Sequence, residues 1–409
     1  MRSCFIAGGT AIAYDEAEGI DASGGRVAES DSKRRWDRAM GHLLQEIDSA
    51  SWEEVFHFDQ SNLLEQGMIS DSINGVFVIA AGGVANGSFP VPSKRILIWK
   101  WEHIWLIYSA FAMAILPIGL ALAFAPQIIR QTLIRDPHLT AQVGGCGLLF
   151  GAGSVLFGVS LARLGIAITN ALVSGIVVFL GSFWPILVGG VQMDRRHLQW
   201  LIFGLTLLIL SLILCAGASV SRDRSQQNKL NEARPSTGAF VAVLLAVLAG
   251  CLSSVLNVGF ATGAPLIANA RIDGSPPLLA SLAVWIPALF GGLIFNMGYP
   301  AYLISLRGSW PVLFEGHHCV GRWCRSALMG SMWFGAILLY GFGASILGSA
   351  GSVYGWALGI SVSILTANVW GVAGGEWNGA SFQPKLLMLL STVLLIASFG
   401  VLCLTRLPR

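Results

Sequence analysis

The chain has 409 residues, of which 54% are hydrophobic and only 11% are charged, and its mean hydropathy is +0.68. Soluble domains carry about 25% charged residues, so this composition excludes a soluble enzyme, a nucleic-acid binder and a disordered chain. The net charge of +3 is small. Beyond the acidic start of the chain, the excess of Lys and Arg over Asp and Glu lies in short loops. There it indicates membrane orientation rather than a polyanionic partner.

The first 67 residues are polar and strongly charged, and 14 of the 22 acidic residues precede residue 72. They contain no apolar core of a signal peptide and would have to cross the membrane ahead of the first span. We therefore expect residues 1–67 to be an extension outside the working protein, with translation beginning at Met68. The alternative is a cytoplasmic appendage, which would require the opposite orientation.

Ten segments are long and apolar enough to cross a bilayer core about 30 Å thick, which needs roughly 20 helical residues. None has Asp or Glu in its middle, and the charges lie in the connections. We predict an all-α polytopic membrane protein with spans near residues 73–92, 103–125, 143–162, 165–190, 198–219, 238–260, 278–304, 327–347, 351–373 and 384–405. The links at 163–164 and 348–350 are so short that they predict tight helical hairpins.

The two halves of the chain share a glycine pattern. Residues 157–165 and 340–348 each read aromatic-Gly, five residues, Leu-Gly, and each lies where a third span turns into a fourth. Because each half has five spans, an odd number, the second half has to be inserted upside down. This predicts a five-plus-five inverted repeat of the kind common in secondary transporters. Its parts are the repeats 68–220 and 238–409 and the connecting loop 221–237.

The loops also predict an orientation. Loops after odd-numbered spans contain twelve Lys and Arg residues, whereas loops after even-numbered spans and the C-terminal tail contain seven. The positive-inside rule therefore places the odd loops in the cytoplasm and both ends of the ten-span unit outside.

Transport needs polar groups inside the helix bundle, where a cavity rather than lipid surrounds them. Neutral amides and hydroxyls both donate and accept hydrogen bonds, which suits a neutral polyol better than an ion. The candidates with such groups are Asn86, Asn170, Asn257, Asn296, Ser361 and Asn368, and the aromatic candidates are Tyr354 and Trp356, because sugar rings stack their C–H faces on aromatic surfaces. Asn86 and Asn257 occupy comparable places in the first helix of each half. For each side chain, the alternative is that it only ties helices together.

Proton coupling needs a group that titrates, and two carboxylates of the ten-span unit lie beside tryptophan. Glu102 follows Trp101 at the start of a span, and Glu376 precedes Trp377 just after one. Burial by indole rings and lipid would favour the protonated form of a carboxyl group near neutral pH, whereas interfacial solvation is the alternative. We prefer Glu376, because Glu102 lies near Lys100 and could simply pair with it.

Other kinds of site find little support, and no cofactor or metal is predicted. The group His317, His318, Cys319 and Cys324 has the residue types of metal ligands, but its spacing fits no standard zinc pattern. The sequence has no phosphate-binding Gly-Lys-Ser/Thr loop, so ATP is not expected to drive transport. A membrane enzyme would need a cluster of His, Asp and Glu at the membrane face, and apart from the His317–Cys324 group the sequence shows none. The expected partners are therefore the lipid bilayer, a small-molecule sugar and a proton, and no nucleic acid.

A family resemblance is carried by these stretches: Gly75–Pro92, Lys94-Arg95, Trp99–Trp105, Ile115–Pro117, Phe150–Gly165 and Tyr354–Ala380. They resemble the L-rhamnose–proton symporters, a branch of the drug/metabolite transporter superfamily. The resemblance implies a ten-helix inverted-repeat carrier of the inner membrane that takes up a deoxyhexose together with a proton. Residues 153–157 and 349–354 depart from the family pattern, and the alternative function is an exporter or exchanger of another small metabolite on the same fold.

Overall fold

The computed structural model describes residues 72–96, 98–164, 166–188, 193–227, 239–316, 319–348 and 351–404. The predicted extension, residues 1–67, lies outside the described residues, as do residues 228–237 of the predicted connecting loop, His317 and His318.

Within these ranges, ten helices are long and apolar enough to cross a membrane. They are α1 (72–88), α2 (Trp101–Phe124), α3 (Pro137–Leu164), α4 (Ile166–Val188), α5 (Arg195–Gln227), α6 (Ala239–Thr262), α7 (Leu282–Leu306), α8 (Cys319–Ile346), α9 (Gly351–Ala373) and α10 (Phe382–Leu404). Shorter helices connect them at Val91–Arg95, Gln127–Ile134, Ala264–Ile272, Pro277–Ala280 and Trp310–Leu313. The prediction of an all-α polytopic fold with ten spans is confirmed.

The first helix ends earlier than predicted. α1 stops at residue 88 instead of 92, and the chain continues as a 3-10 turn over Val91–Arg95. Pro90 and Pro92 explain the change, because proline has no backbone N–H to extend an α-helix.

The eighth helix begins earlier than predicted, at Cys319 instead of residue 327. Its first turns are too polar to be recognised by hydropathy alone. They are held by neighbours of the preceding loop, since the Trp323 indole N–H donates to the Leu313 carbonyl at 2.9 Å. Arg322 is buried, and its guanidinium lies 5.5 Å from the centre of the Trp99 ring.

Two of the helix breaks are as short as predicted, although the first comes just after the predicted link at 163–164. Only residue 165 separates α3 from α4, and α8 and α9 are joined by residues 347–350. Gly348 has a φ angle of +71°, in the left-handed region that glycine adopts without steric cost.

Helices α1 and α6 each pack between two other helices. α1 packs between α8 and α9, and α6 packs between α3 and α4. A methyl group added to Gly83 of α1 would lie 2.7 Å from the Gly359 carbonyl oxygen, and one added to Gly250 of α6 would lie 2.7 Å from the Ile176 Cβ. Small residues therefore let the backbones approach closely, as is typical of helix contacts in membranes.

Two further helix pairs are in close contact. α5 packs along α10, where the Ser211 hydroxyl donates to the Ser391 carbonyl and the Ser391 hydroxyl donates to the Ser211 carbonyl, both at 2.9 Å. α2 packs against α7. The six remaining helices, α1, α3, α4, α6, α8 and α9, surround the space described next.

Candidate functional site

A cavity of about 210 Å³ lies between α1, α3, α4, α6, α8 and α9. It is smaller than the roughly 300–1,000 Å³ of drug-sized ligand sites, so it suits a small solute. α8 lines it from Trp333 to Tyr340, which corresponds to about 10 Å along the helix axis at 1.5 Å per residue. The lining residues are Ile79, Gly82, Gly83, Asn86, Phe150, Val177, Ser253, Leu256, Trp333, Ala336, Ile337, Tyr340, Trp356, Gly359 and Ile360.

Four rings of this lining, Phe150, Trp333, Tyr340 and Trp356, form what we call the aromatic wall. Phe150 and Trp333 stack with ring centres 6.3 Å apart, and Tyr340 and Trp356 meet edge to face with centres 5.3 Å apart. Such contacts fix the ring orientations. The Trp356 indole N–H donates to the Val177 carbonyl at 3.1 Å, so its polar atom is bound to protein.

Asn86 of α1 and Ser253 of α6 bring polar groups into the lining. The Asn86 amide nitrogen donates to the Ser363 hydroxyl at 2.9 Å, which leaves its carbonyl oxygen able to accept a hydrogen bond from a solute. In the described part of the chain, no hydrogen bond occupies the Ser253 hydroxyl. The cavity thus offers a few polar groups within a mostly apolar lining.

Asn257 lies behind this lining and not in it, although it was predicted to bind substrate. Its amide nitrogen donates to the carbonyls of Gly181 and Ser352 at 2.7 and 2.8 Å, and its amide oxygen accepts the Tyr340 hydroxyl. The side chain is fully buried. Both of its N–H groups and its oxygen are therefore used within the protein, and it connects α4, α8 and α9. α6 lines the cavity with Ser253 and Leu256 instead.

Three more predicted residues lie away from the cavity with their polar groups bonded to protein. Asn296 donates to the Gly292 carbonyl at 3.0 Å and accepts the Trp105 indole N–H at 3.1 Å, between α2 and α7. The Ser361 hydroxyl donates to the Ala357 carbonyl of its own helix at 2.8 Å. Tyr354 is buried, and its hydroxyl donates to the carbonyl of His197 at 3.3 Å.

The last two predicted residues also lie outside the cavity lining. Asn170 is exposed on α4 and does not line the cavity. Asn368 on α9 accepts the Cys215 thiol at 3.7 Å. The cavity therefore brings together Asn86 and Trp356 from the predicted set.

A line of three side-chain contacts joins α1 to α9 between the cavity and the loops that follow odd-numbered helices. We call it the α1–α9 seam, and its contacts are Asn86–Ser363 at 2.9 Å, Trp370–Ser88 at 2.8 Å and Lys94–Glu376 at 2.7 Å. The first contact is at the cavity and the last is at the ends of the two helices. Opening this end of the cavity between α1 and α9 would require these bonds to break.

Glu376 lies at the outer end of the seam, between two cations. Besides Lys94, it has Arg222 of α5 at 3.6 Å, and its side chain is 44% exposed. The Arg222 guanidinium also lies 5.0 Å from the centre of the Trp377 ring. One carboxylate, just after the end of α9, thus contacts the turn that follows α1 and the C-terminal part of α5.

Glu102 lies on the same face of the bundle but in different surroundings. Its side chain is only 4% exposed and forms an ion pair with Arg307, at the end of α7. The predicted pairing with Lys100 is wrong, because the fold brings the more distant arginine to the carboxylate. The neighbouring His103 is also buried, with Nε2 3.1 Å from the Ser309 carbonyl oxygen.

Phe150 and Trp333 are cavity residues that the sequence did not single out. An aromatic residue in the middle of an apolar span has the same pattern whether it packs against a helix or lines a cavity. The one available signal was position, since both lie in the third span of a half, which also contributes the paired glycine pattern.

Comparisons with known proteins extend over this whole helical unit. Residues 68–406 match the family described as L-rhamnose-proton symport protein. An L-rhamnose-proton symporter of Klebsiella pneumoniae is 23% identical over 334 residues, which cover 80% of this chain and 96% of that protein. Symporters of the same description from Escherichia coli and Mannheimia succiniciproducens are 22% and 21% identical over 340 and 336 residues, with the same coverage.

Proposed function

The chain belongs to the L-rhamnose-proton symport protein family, and we propose that it takes up L-rhamnose or a closely related sugar together with protons across the bacterial inner membrane. The observation that carries the proposal is the family match over residues 68–406, which includes all ten helices and the cavity they enclose. The family is one of transporters and not of enzymes. Its relatives are named as symporters, which does not favour the alternative of an exporter or exchanger.

We propose that the central cavity is the sugar site. A deoxyhexose has hydroxyls that need donors and acceptors, and a methyl group and C–H faces that need apolar surface. Asn86 and Ser253 would serve the hydroxyls, and the aromatic wall would serve the apolar parts. This arrangement supports the sequence-based assignment of Asn86 and Trp356 to substrate binding.

For proton coupling we propose Glu376, with Glu102 as the second candidate. Glu376 closes the α1–α9 seam through Lys94, so neutralising its carboxylate would weaken the last contact between the cavity and this face. With the predicted orientation, that face is cytoplasmic, and the seam would be the exit for the sugar. Glu102 takes no part in the seam contacts and holds α2 to α7 through Arg307.

The five-plus-five inverted repeat is part of the proposal, and the packing supports it. α1 lies between α8 and α9 as α6 lies between α3 and α4, which is the relation expected if the second five helices repeat the first. The reciprocal bonds of Ser211 and Ser391 are those that a two-fold axis between α5 and α10 would produce.

The test is uptake of labelled L-rhamnose by the full chain in liposomes, with and without an imposed proton gradient. We expect accumulation only when the gradient is present. Asn86→Leu should weaken sugar binding, whereas Asn170→Leu, which removes the same amide outside the cavity, should not. Uptake that ignores the pH gradient, or equal effects of the two variants, would contradict the proposal.

A further inference from the structure

Tyr340 presents its ring to the cavity and turns its hydroxyl away. The hydroxyl donates to the Asn257 amide oxygen, and the Ser352 carbonyl oxygen lies 3.5 Å away as a second and weaker acceptor. Asn257 is fully buried behind the lining. The polar atom of Tyr340 therefore points out of the cavity, and only the apolar ring faces a bound solute.

The partner of this hydroxyl is itself held on two sides. The Asn257 amide nitrogen donates to the Gly181 carbonyl of α4 and the Ser352 carbonyl of α9 at 2.7 and 2.8 Å. These two bonds fix which way the amide faces, so its oxygen is directed at Tyr340 on α8. A hydroxyl bonded to a fixed acceptor is not free to turn towards the solute.

The neighbourhood of Tyr340 in the cavity is apolar as well. Trp356, in edge contact with the tyrosine ring, uses its indole N–H on the Val177 carbonyl. Ile79 lies beside Tyr340, since both approach Gly355. A hydroxyl group of a solute placed here would meet rings and methyl groups without a hydrogen-bond partner, which is costly.

We infer that Asn257 is a positioning residue for sugar specificity. By holding the Tyr340 hydroxyl outside the cavity, it keeps the part of the cavity around Tyr340 apolar. That part then selects a 6-deoxyhexose over the corresponding hexose. The inference rests on the proposed function, and it places the methyl group of the sugar against the apolar surface around Tyr340. The methyl group of a deoxyhexose loses no hydrogen bond against the rings, whereas a hydroxymethyl group does. Hydrophobic pockets reject such an added hydroxyl by up to about 100-fold.

The experiment measures how well L-rhamnose and L-mannose, its 6-hydroxy analogue, displace labelled L-rhamnose from the full chain. The wild type should prefer L-rhamnose roughly 10- to 100-fold. Asn257→Ala removes the near acceptor and leaves the tyrosine hydroxyl only the Ser352 carbonyl oxygen at 3.5 Å, so the hydroxyl can turn towards the solute. The preference should then fall roughly 2- to 10-fold, the change that one net hydrogen bond produces. The double variant Asn257→Ala/Tyr340→Phe has no hydroxyl to release, and the wild-type preference should return.

The control is Asn296→Ala, which removes another buried amide whose nitrogen and oxygen are both hydrogen-bonded within the protein and which does not line the cavity. It should change the binding of both sugars by the same factor. If Asn257→Ala does not fold, Asn257→Ser releases the same hydroxyl while keeping a polar group in the buried site. Tyr340→Phe alone should keep the preference.

An unchanged preference in folded Asn257→Ala or Asn257→Ser would overturn the inference, and so would loss of preference in Tyr340→Phe. A wild type that binds both sugars equally would also overturn it while leaving the proposed function intact. A wild type that binds neither sugar would refute the proposed function itself.

Discussion

Two glutamates lie on the same face of the bundle and differ in almost every physical respect. Glu102 is buried and forms an ion pair with Arg307, which connects α2 to α7. Glu376 is 44% exposed and lies between Lys94 and Arg222. Both carboxylates follow the same sequence rule, a glutamate beside a tryptophan at the end of a span.

The difference separates a structural role from a switching role. A buried carboxylate whose ion pair is removed leaves an uncompensated charge, so Glu102 suits a contact that persists throughout the transport cycle. An exposed carboxylate can exchange its partners for water at small cost, so Glu376 suits a contact that forms and breaks. The comparison therefore favours Glu376 as the coupling group.

The largest effect should come from Glu376→Gln, which keeps the size and hydrogen bonding of the side chain but removes its charge and titration. We expect the variant to lose accumulation of sugar above the external concentration, while exchange of sugar between the two sides continues. The measurement is uptake into liposomes with an imposed pH gradient, next to counterflow without one.

Glu102→Gln is the matched variant for this experiment, because it removes the same charge beside the same kind of tryptophan. It should still accumulate sugar. If Glu102→Gln is the variant that loses accumulation and Glu376→Gln retains it, the assignment of the two roles is reversed. If both variants still concentrate sugar, neither glutamate carries the proton.

A smaller effect, on stability, should distinguish the same two residues. Glu102→Ala leaves Arg307 without its partner, but that side chain is 44% exposed and can turn to water. The free energy of unfolding should fall by about 2 kcal/mol, between the values typical of exposed and buried pairs. Thermal unfolding in detergent would measure it. Glu376→Ala, compared in the same way, should lose less than about 1 kcal/mol, and equal losses would remove the distinction.

The smallest effect should come from Lys94→Met, which removes one of the two cations beside Glu376. The pair is about half exposed, so we expect a loss of about 0–1 kcal/mol that shrinks further in added salt. Lys385→Met is the control, since it removes a lysine from the start of α10 on the same face. A Lys94 effect above 2 kcal/mol, or one insensitive to salt, would show that the seam contact is not a weak and reversible one.

Hydropathy was sufficient to predict the fold, because the bilayer requires ten long apolar stretches and leaves the charges to the loops. The two hairpins followed for the same reason, since links of two or three residues permit no other path. The prediction failed at the start of α8, where polar residues continue the helix. Arg322 and Trp323 are held there by backbone carbonyls of the preceding segment, and hydropathy does not show such contacts.

The site was harder to predict, because hydrogen-bond partners depend on residues far apart in the chain. Asn86 and Asn257 have equivalent sequence patterns, yet one faces the cavity and the other is used by three backbone and side-chain groups. The partner of Glu102 is 205 residues away. Phe150 and Trp333 could not be separated from packing residues, since an apolar span contains both kinds.

The reciprocal bonds of Ser211 and Ser391 have a consequence for how such a carrier could move. If its halves exchange shapes during transport, every contact within one half must be replaced by its counterpart in the other. The contact between Ser211 and Ser391 does not need to be replaced. When the halves exchange shapes, the bond from Ser211 to Ser391 takes the place of the bond from Ser391 to Ser211, and the contact as a whole is unchanged. The α5–α10 contact would then act as a stationary pivot, and the cost of reorganisation would fall on the helices around the cavity.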